Sequence, residues 1–461
     1  MATLRNNLCR HESVQGAPSV EPLAVSIDPF YFMMQSSKRK TITLFIGAVI
    51  VIVSTIVIAR YSKIPSPKPF TATSVMDRTI ATLEEQFQKT PEKFAVSVAL
   101  ANAYMQKIRE TADSSLYQKI EQIIEHATRI DPENPELPSL KAQVALGRHQ
   151  FNMALTLGQE ALKRNPNNPL YYGIIGDAEI ELGHYEQAVA TLQTMIDRKP
   201  DYSSFSRIAY ARELYGDVEG AIEAMQSAVQ AGSAYPEHLA WGYTEIGKLY
   251  WNSNRPTQAL AEFEKAVATV PNYTPALRWL GHMALSNGNT SQAQEYFQKA
   301  VDLLPIDTHY ADLADFYSAT EQNAKASQLW TIVKLTDENS EKNGVVIDLE
   351  LASFLADHDL DLPEALKRAE RGYNNRSSVF AADTVGWAYY KNNQYDQAKH
   401  YSDESLRLGT QDPIKFFHAG MIAKARGQKA MAKKYLAKAL QLNPHFSILS
   451  APVAQETLKN L

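Results

Sequence analysis

The stretch TEIGKLYWNSNRPTQALAEFEKAVATVP, residues 244–271, carries the pattern that decides the fold. Gly247 is followed twelve positions later by Ala259, and bulky Tyr250 and Phe263 stand beside them. Two antiparallel helices that cross closely need small residues at the crossing, because a large side chain there forces the axes beyond the usual 8–10 Å. The closing Pro271 ends the second helix. Working outward, the same small residue and alanine recur at Ala142/Ala154, Gly176/Ala188, Ala209/Ala221, Gly281/Ala293, Ala314/Ala326, Gly386/Ala398 and Gly420/Ala432. Pro132, Pro166 and Pro200 are spaced by 34, as are Pro271 and Pro305. A short polar turn separates the members of a pair, as in Leu182 to Tyr185 or Arg426 to Gln428, where glycine can end the first helix. A single pair cannot bury its apolar face, so neighbouring pairs must stack and share a core. The chain is therefore expected to be all-α, a solenoid of antiparallel helix pairs.

These features resemble the tetratricopeptide repeat family. In residues 244–271, Gly247, Tyr250, Ala259, Phe263, Ala266 and Pro271 fall on the family pattern. Residues 277–305 match through Leu280, Gly281, Ala293, Phe297, Ala300 and Pro305, with Ala284 where Tyr is usual. Weaker units lie at 93–132, with an insertion near Ala112, and at 343–374, where Ala352 to Ala365 is one residue too long. The resemblance implies a right-handed superhelix of about nine or ten repeats over residues 78–446, with 447–461 as a C-terminal cap.

Thr41 to Ala59 is a run of nineteen residues without a charge. At 1.5 Å per residue such a helix spans roughly 28 Å, near the thickness of a bilayer core. The expectation is one transmembrane helix; a buried core helix or a cleaved signal peptide are the other readings of the same run. Residues 1–40 then form a disordered tail with a basic end, and 60–77, with Pro65, Pro67 and Pro69, a spacer of extended backbone. Met33 or Met34 is an alternative start, since MQSSKRK before the apolar run has the shape of a signal anchor. Basic residues flank the run on both sides, and the short tail adds Arg5 and Arg10, which favours a cytoplasmic N-terminus and an extracytoplasmic body.

Chemistry is sparse. Gly242 to Lys248 spells seven positions of a phosphate-binding loop, but Leu249 replaces the hydroxyl residue and the segment falls inside a repeat helix. Cys9 is the lone cysteine, and the eleven histidines never come closer than the 18 positions from His400 to His418, so neither a disulfide framework nor a local metal pair exists. No cofactor, no metal and no catalysis are expected. With 46 basic against 51 acidic side chains, nothing suggests a field that holds nucleic acid.

The concave surface of a helical-pair stack is lined by the first helix of each pair. Helical periodicity directs Trp241, Lys248 and Trp251 there, then Arg278 and His282, then Phe380, Asp383, Trp387 and Tyr390. Aromatic and Arg side chains anchor recognition surfaces, although the same aromatics also suit packing between repeats and the same cations a solvated face. Some members of the family grip a C-terminal carboxylate with Lys at position five and Asn at position nine. Here those positions hold Thr244/Lys248, Arg278/His282, Ala311/Asp315 and Asp383/Trp387, so that use is not supported. The sequence points to a membrane-tethered scaffold that binds a protein or peptide partner in its groove. The alternative is a structural subunit of an envelope assembly or secretion complex with edge-to-edge contacts. Self-association stays open.

Overall fold

The computed structural model describes residues 75–461. Among them are 22 α-helices and no strand. The expected tail (1–40), membrane helix (41–59) and most of the spacer (60–77) lie outside the described residues. No described helix is long and apolar enough to cross a membrane. The first helix, α1, runs Val75–Lys89.

The chain divides into two compact units. Among the described residues the first comprises Ile80–Arg212 and Glu219–Gly232; the second comprises residues 75–79, Glu213–Val218 and Ser233–Leu461. In the first, α2 (Phe94–Thr111) packs on α3 (Leu116–Ile130), α4 (Glu136–Gly147) on α5 (Phe151–Arg164), and α6 (Pro169–Glu181) on α7 (Tyr185–Arg198). Then come α8 (Tyr202–Leu214) and α9 (Val218–Ala231). The second holds six pairs: α10 (Pro236–Asn252) with α11 (Pro256–Thr269), α12 (Thr274–Ser286) with α13 (Thr290–Leu303), and α14 (Asp307–Ala319) with α15 (Asn323–Lys342). They continue as α16 (Asp348–Asp357) with α17 (Leu362–Asn375), α18 (Val379–Lys391) with α19 (Tyr395–Leu406), and α20 (Pro413–Ala425) with α21 (Lys429–Leu442). The last helix, α22 (Ser450–Lys459), packs on α21.

Local chemistry starts and stops these helices. Proline occupies the first turn of α6, α10, α11, α17 and α20, where the missing N–H is no loss. Asn168, Ser378 and Asp412 accept hydrogen bonds from the N–H groups of Leu170, Ala381 and Ile414 as N-caps. Between the helices of a pair the chain turns through a left-handed residue: Gly183 (φ 76), Gly288 (φ 77) and Gly427 (φ 74), or Asn254 (φ 57) and Asn393 (φ 62). The next residue's N–H then reaches back five positions, as His184 to Glu179, Arg255 to Tyr250, Gln394 to Tyr389 and Gln428 to Ala423. That is the Schellman closure, which satisfies orphan carbonyls at the helix end.

The small residues do what the spacing requires. A Cβ on Gly247 would lie 2.4 Å from the Phe263 ring, one on Gly281 2.7 Å from Phe297, and one on Gly176 2.5 Å from Leu192. Ala259, Ala293, Ala398 and Ala432 are wholly enclosed. Phe263, Trp279 and Phe297 fill the wedge, with Phe263 and Trp279 stacked at 6.0 Å. The P-loop-like glycines Gly242 and Gly247 lie within α10, where the helix ladder uses the backbone N–H groups.

Candidate functional site: the first helices of the second unit

All nine groove candidates lie in the second unit, on α10, α12 and α18. The structure puts five of them inside the protein: Trp251, Arg278, His282, Asp383 and Trp387 are each less than a tenth exposed. Trp241, Lys248, Phe380 and Tyr390 are half-buried. Helical periodicity cannot tell whether that face meets a ligand or the next first helix. Here it largely meets the next first helix.

The contacts run from pair to pair. Arg278 on α12 donates to Asp312 on α14 through both Nε (2.5 Å) and Nη2 (3.1 Å), and His282 Nε2 lies 3.3 Å from the same carboxylate. Burial would push the Asp312 pKa up, but Arg278 and His282 hold it well below the usual carboxylate range. On the same helix, Asp315 meets His358 at 2.8 Å, and the other His358 nitrogen lies 2.8 Å from the Phe354 carbonyl. Burial pushes Asp315 up to about 6, opposed by His358. Burial works against the charge on His358, yet Asp315 raises its pKa.

Asp357, at the end of α16, accepts the indole N–H of Trp387 at 2.7 Å. The Trp387 ring is sandwiched between Tyr390 (4.7 Å) and His418 of α20 (4.1 Å), both nearly parallel to it. His418 in turn lies 3.0 Å from Asp383. Arg376 bonds Glu350 at 2.8 Å and sits over the Phe380 ring. Trp387 and Asp383 are thus parts of a packed polar network rather than free anchors. Such a network rigidifies a fold when its members are satisfied.

Lys248 pairs with Glu245 at 2.6 Å. Burial lowers its proton affinity, but Glu245 and Glu213 more than offset this and its pKa is raised. Burial pushes Glu213 up to about 7; Lys248 opposes this, while Glu245 and Asp412 add to it. Residues 213 to 218 therefore meet the start of α20, and Gly216 approaches Gly409 so closely that a Cβ would stand 2.1 Å from its carbonyl oxygen. The segment before α22 also crosses the unit. His445 lies 6.5 Å from the Trp251 ring, and Ile448 packs on the cluster of Phe297, Leu313, Phe316 and Tyr317. The chain's own C-terminal segment thus covers part of the face assigned to a partner.

In the first unit Asp177 pairs with Arg207 at 2.8 and 2.7 Å, and burial pushes Asp177 up to about 6 against the pull of Arg207. A Cβ on Gly173 would come within 3.1 Å of the guanidinium. Sequence reading missed Asp177, Arg207, Asp312, Asp357, His358 and His418. Their signal was the spacing: the partners stand 30, 34, 30, 43 and 35 residues apart, roughly one repeat. Among the described residues no group of three His, Cys, Asp or Glu could hold a metal ion.

Helix pairs closed by Schellman turns and locked at a glycine–aromatic crossing define an all-α helical-repeat architecture similar to the tetratricopeptide type. Tetratricopeptide-repeat profiles match residues 145–212, 244–307 and 416–446, so both units contain such repeats. Repeats of this kind generally serve protein interaction rather than catalysis. Among curated proteins the chain is 24% identical over 201 residues to Protein CTR9 homolog of Arabidopsis thaliana, covering 41% of this chain and 18% of that protein. It is 22% identical over 324 residues to the antiviral innate immune response effector IFIT1 of Macaca fascicularis, covering 63% and 65%. The chain thus spans less than two thirds of the length of these relatives. Among solved structures it is similar to the APC/C hetero-tetramer Cut9–Hcn1, at 14% identity and a TM-score of 0.44, covering 83% of this chain and 66% of that one.

Proposed function

We propose that this chain is a membrane-tethered scaffold that holds a protein or peptide partner and carries out no chemistry of its own. Thr41–Ala59 is the anchor in this reading, with the N-terminus cytoplasmic and the repeat body extracytoplasmic. Tethering raises the local concentration of a partner at the bilayer, and several contacts along stacked repeats act together. The observation that supports it best is the self-satisfied inner line of the second unit, from Lys248 through Arg278–Asp312 and Asp315–His358 to Trp387–His418. A frame locked in this way presents its remaining side chains without ordering them at the moment of binding. Those side chains are Trp241, Phe380 and Tyr390, half-buried members of the predicted groove.

A photo-reactive residue placed at 241, 380 or 390 in the full chain tests this in the native host. Adducts to one protein from these sites, and none from the exposed outer position Gln258, are the expected result. Equal labelling from Gln258, or none at the three sites, would refute it. The second reading, a structural subunit of an envelope assembly, is favoured by the crossing of His445 and Ile448 over the inner face, which leaves less room for an extended peptide. It predicts adducts from outer positions to a fixed neighbouring subunit.

A further inference from the structure

The C-terminal repeat differs in charge from the rest of the molecule. From Pro413 to Gln455 there are seven Lys and Arg and no Asp or Glu, in a chain whose total is −5. Every other second helix of the second unit carries acidic side chains, whereas α21 carries Lys429, Lys433, Lys434 and Lys438 and none. Lys429, Lys433 and Lys434 are exposed and share one face of α21 with Ala430 and Ala437; Lys424 is exposed at the end of α20. None of these four forms an ion pair among the described residues. The carboxylates of α19 are already taken: Asp396 by Arg426, Asp403 by Lys399 and Glu404 by Arg407. Lys438 is drawn over the Phe416 ring. Like charges at i and i+4, as at Lys429 and Lys433, cost an isolated helix stability, so the face is unfavourable until an anion meets it.

We infer that the outer face of α21, through Lys429, Lys433 and Lys434 with Lys424 beside it, docks flat on an anionic bilayer surface. Charge complementarity selects an anion, and two features select a bilayer over an acidic protein. Small alanines lie between the lysines, with Met431 on the flank 38% exposed, which suits the apolar boundary below a headgroup layer. The anchor read in Thr41–Ala59 would also keep the body near such a surface, and on this point the inference rests on the tether proposed above. Each lysine at an anionic surface contributes roughly a fivefold gain in partition.

The test uses the full chain carrying C9S and A437C, labelled at residue 437 with an environment-sensitive dye. It is combined with vesicles of phosphatidylcholine alone or with about a third phosphatidylglycerol. A dye shift in anionic vesicles only, abolished by high salt, is expected. K429Q/K433Q/K434Q should weaken it roughly a hundredfold. Alkaline carbonate extraction reads the tether separately: a chain released by carbonate loses the tether reading, while its dye response on added vesicles still judges the helix face. An equal shift with phosphatidylcholine alone, no shift with anionic vesicles, or a shift with polyglutamate in place of vesicles would each overturn the inference.

Discussion

Replacing Asp312 by Ala removes the one carboxylate that faces both Arg278 and His282, which are 8% and 4% exposed. The guanidinium is then left buried without its counter-charge, a situation that costs about 3–5 kcal/mol. The Asp307 carboxylate also feels the Arg278 charge, but burial pushes its own pKa up to about 6, so it replaces only part of the lost attraction. The double variant Arg278→Met/Asp312→Ala takes away both charges and leaves only a small cavity, so it should recover most of that loss. The cycle is read from urea midpoints at constant slope on the full chain. pH adds an independent readout. The Asp312 pKa is depressed in the fold, so its contribution is present above the unfolded value near 4 and is lost as pH falls through the lower folded value. The single variant should therefore lack that part of the parent's acid transition. If Asp312→Ala costs no more than about 1 kcal/mol, the pair behaves like an exposed surface bridge and the reasoning fails.

Three further outcomes follow from the same packing. Phe263→Ala should cost about 3–5 kcal/mol, and Gly247→Val about 1–3 kcal/mol through the clash with the same ring, both read as lowered thermal midpoints. Glu213, pushed up to about 7, binds a proton in the fold that the unfolded chain has released. Stability should thus fall as pH rises from about 4.5 through 7, by about 1–2 kcal/mol after allowance for its partial exposure, and Glu213→Gln should flatten that slope in pH-dependent urea titrations. Trp387→Phe keeps the stacking with Tyr390 and His418 but leaves the Asp357 carboxylate without its indole donor; a loss of about 1–3 kcal/mol is expected in the same urea assay.

Much of the fold was legible in the sequence because its determinants are local and periodic. Gly247, Gly281 and Gly420 had to face a close crossing, and Phe263, Phe297 and Leu436 are what they face. The site was legible only as a face. Periodicity placed Arg278 and Trp387 on the first helices, but their fate depended on partners one repeat away, Asp312 and Asp357, whose alignment is set by how successive pairs stack. The crossing of Ile448 onto the Phe297–Phe316 cluster was still less accessible, since it joins parts of the chain more than a hundred residues apart. Such closure depends on the curvature of the whole second unit, which no local pattern encodes.

The first helices of the second unit are joined to one another through Arg278–Asp312, Asp315–His358 and Asp357–Trp387 and met by the chain's own C-terminal segment. Amide hydrogen exchange on the full chain, compared with its Ile448→Asp variant, tests this most directly. Helices α12, α14, α16 and α18 should exchange slowest and as one block, and Ile448→Asp should speed exchange in α12 to α14 as well as in residues 443–449. Independent opening of single repeats, with the effect of Ile448→Asp confined to the C-terminal residues, would contradict it.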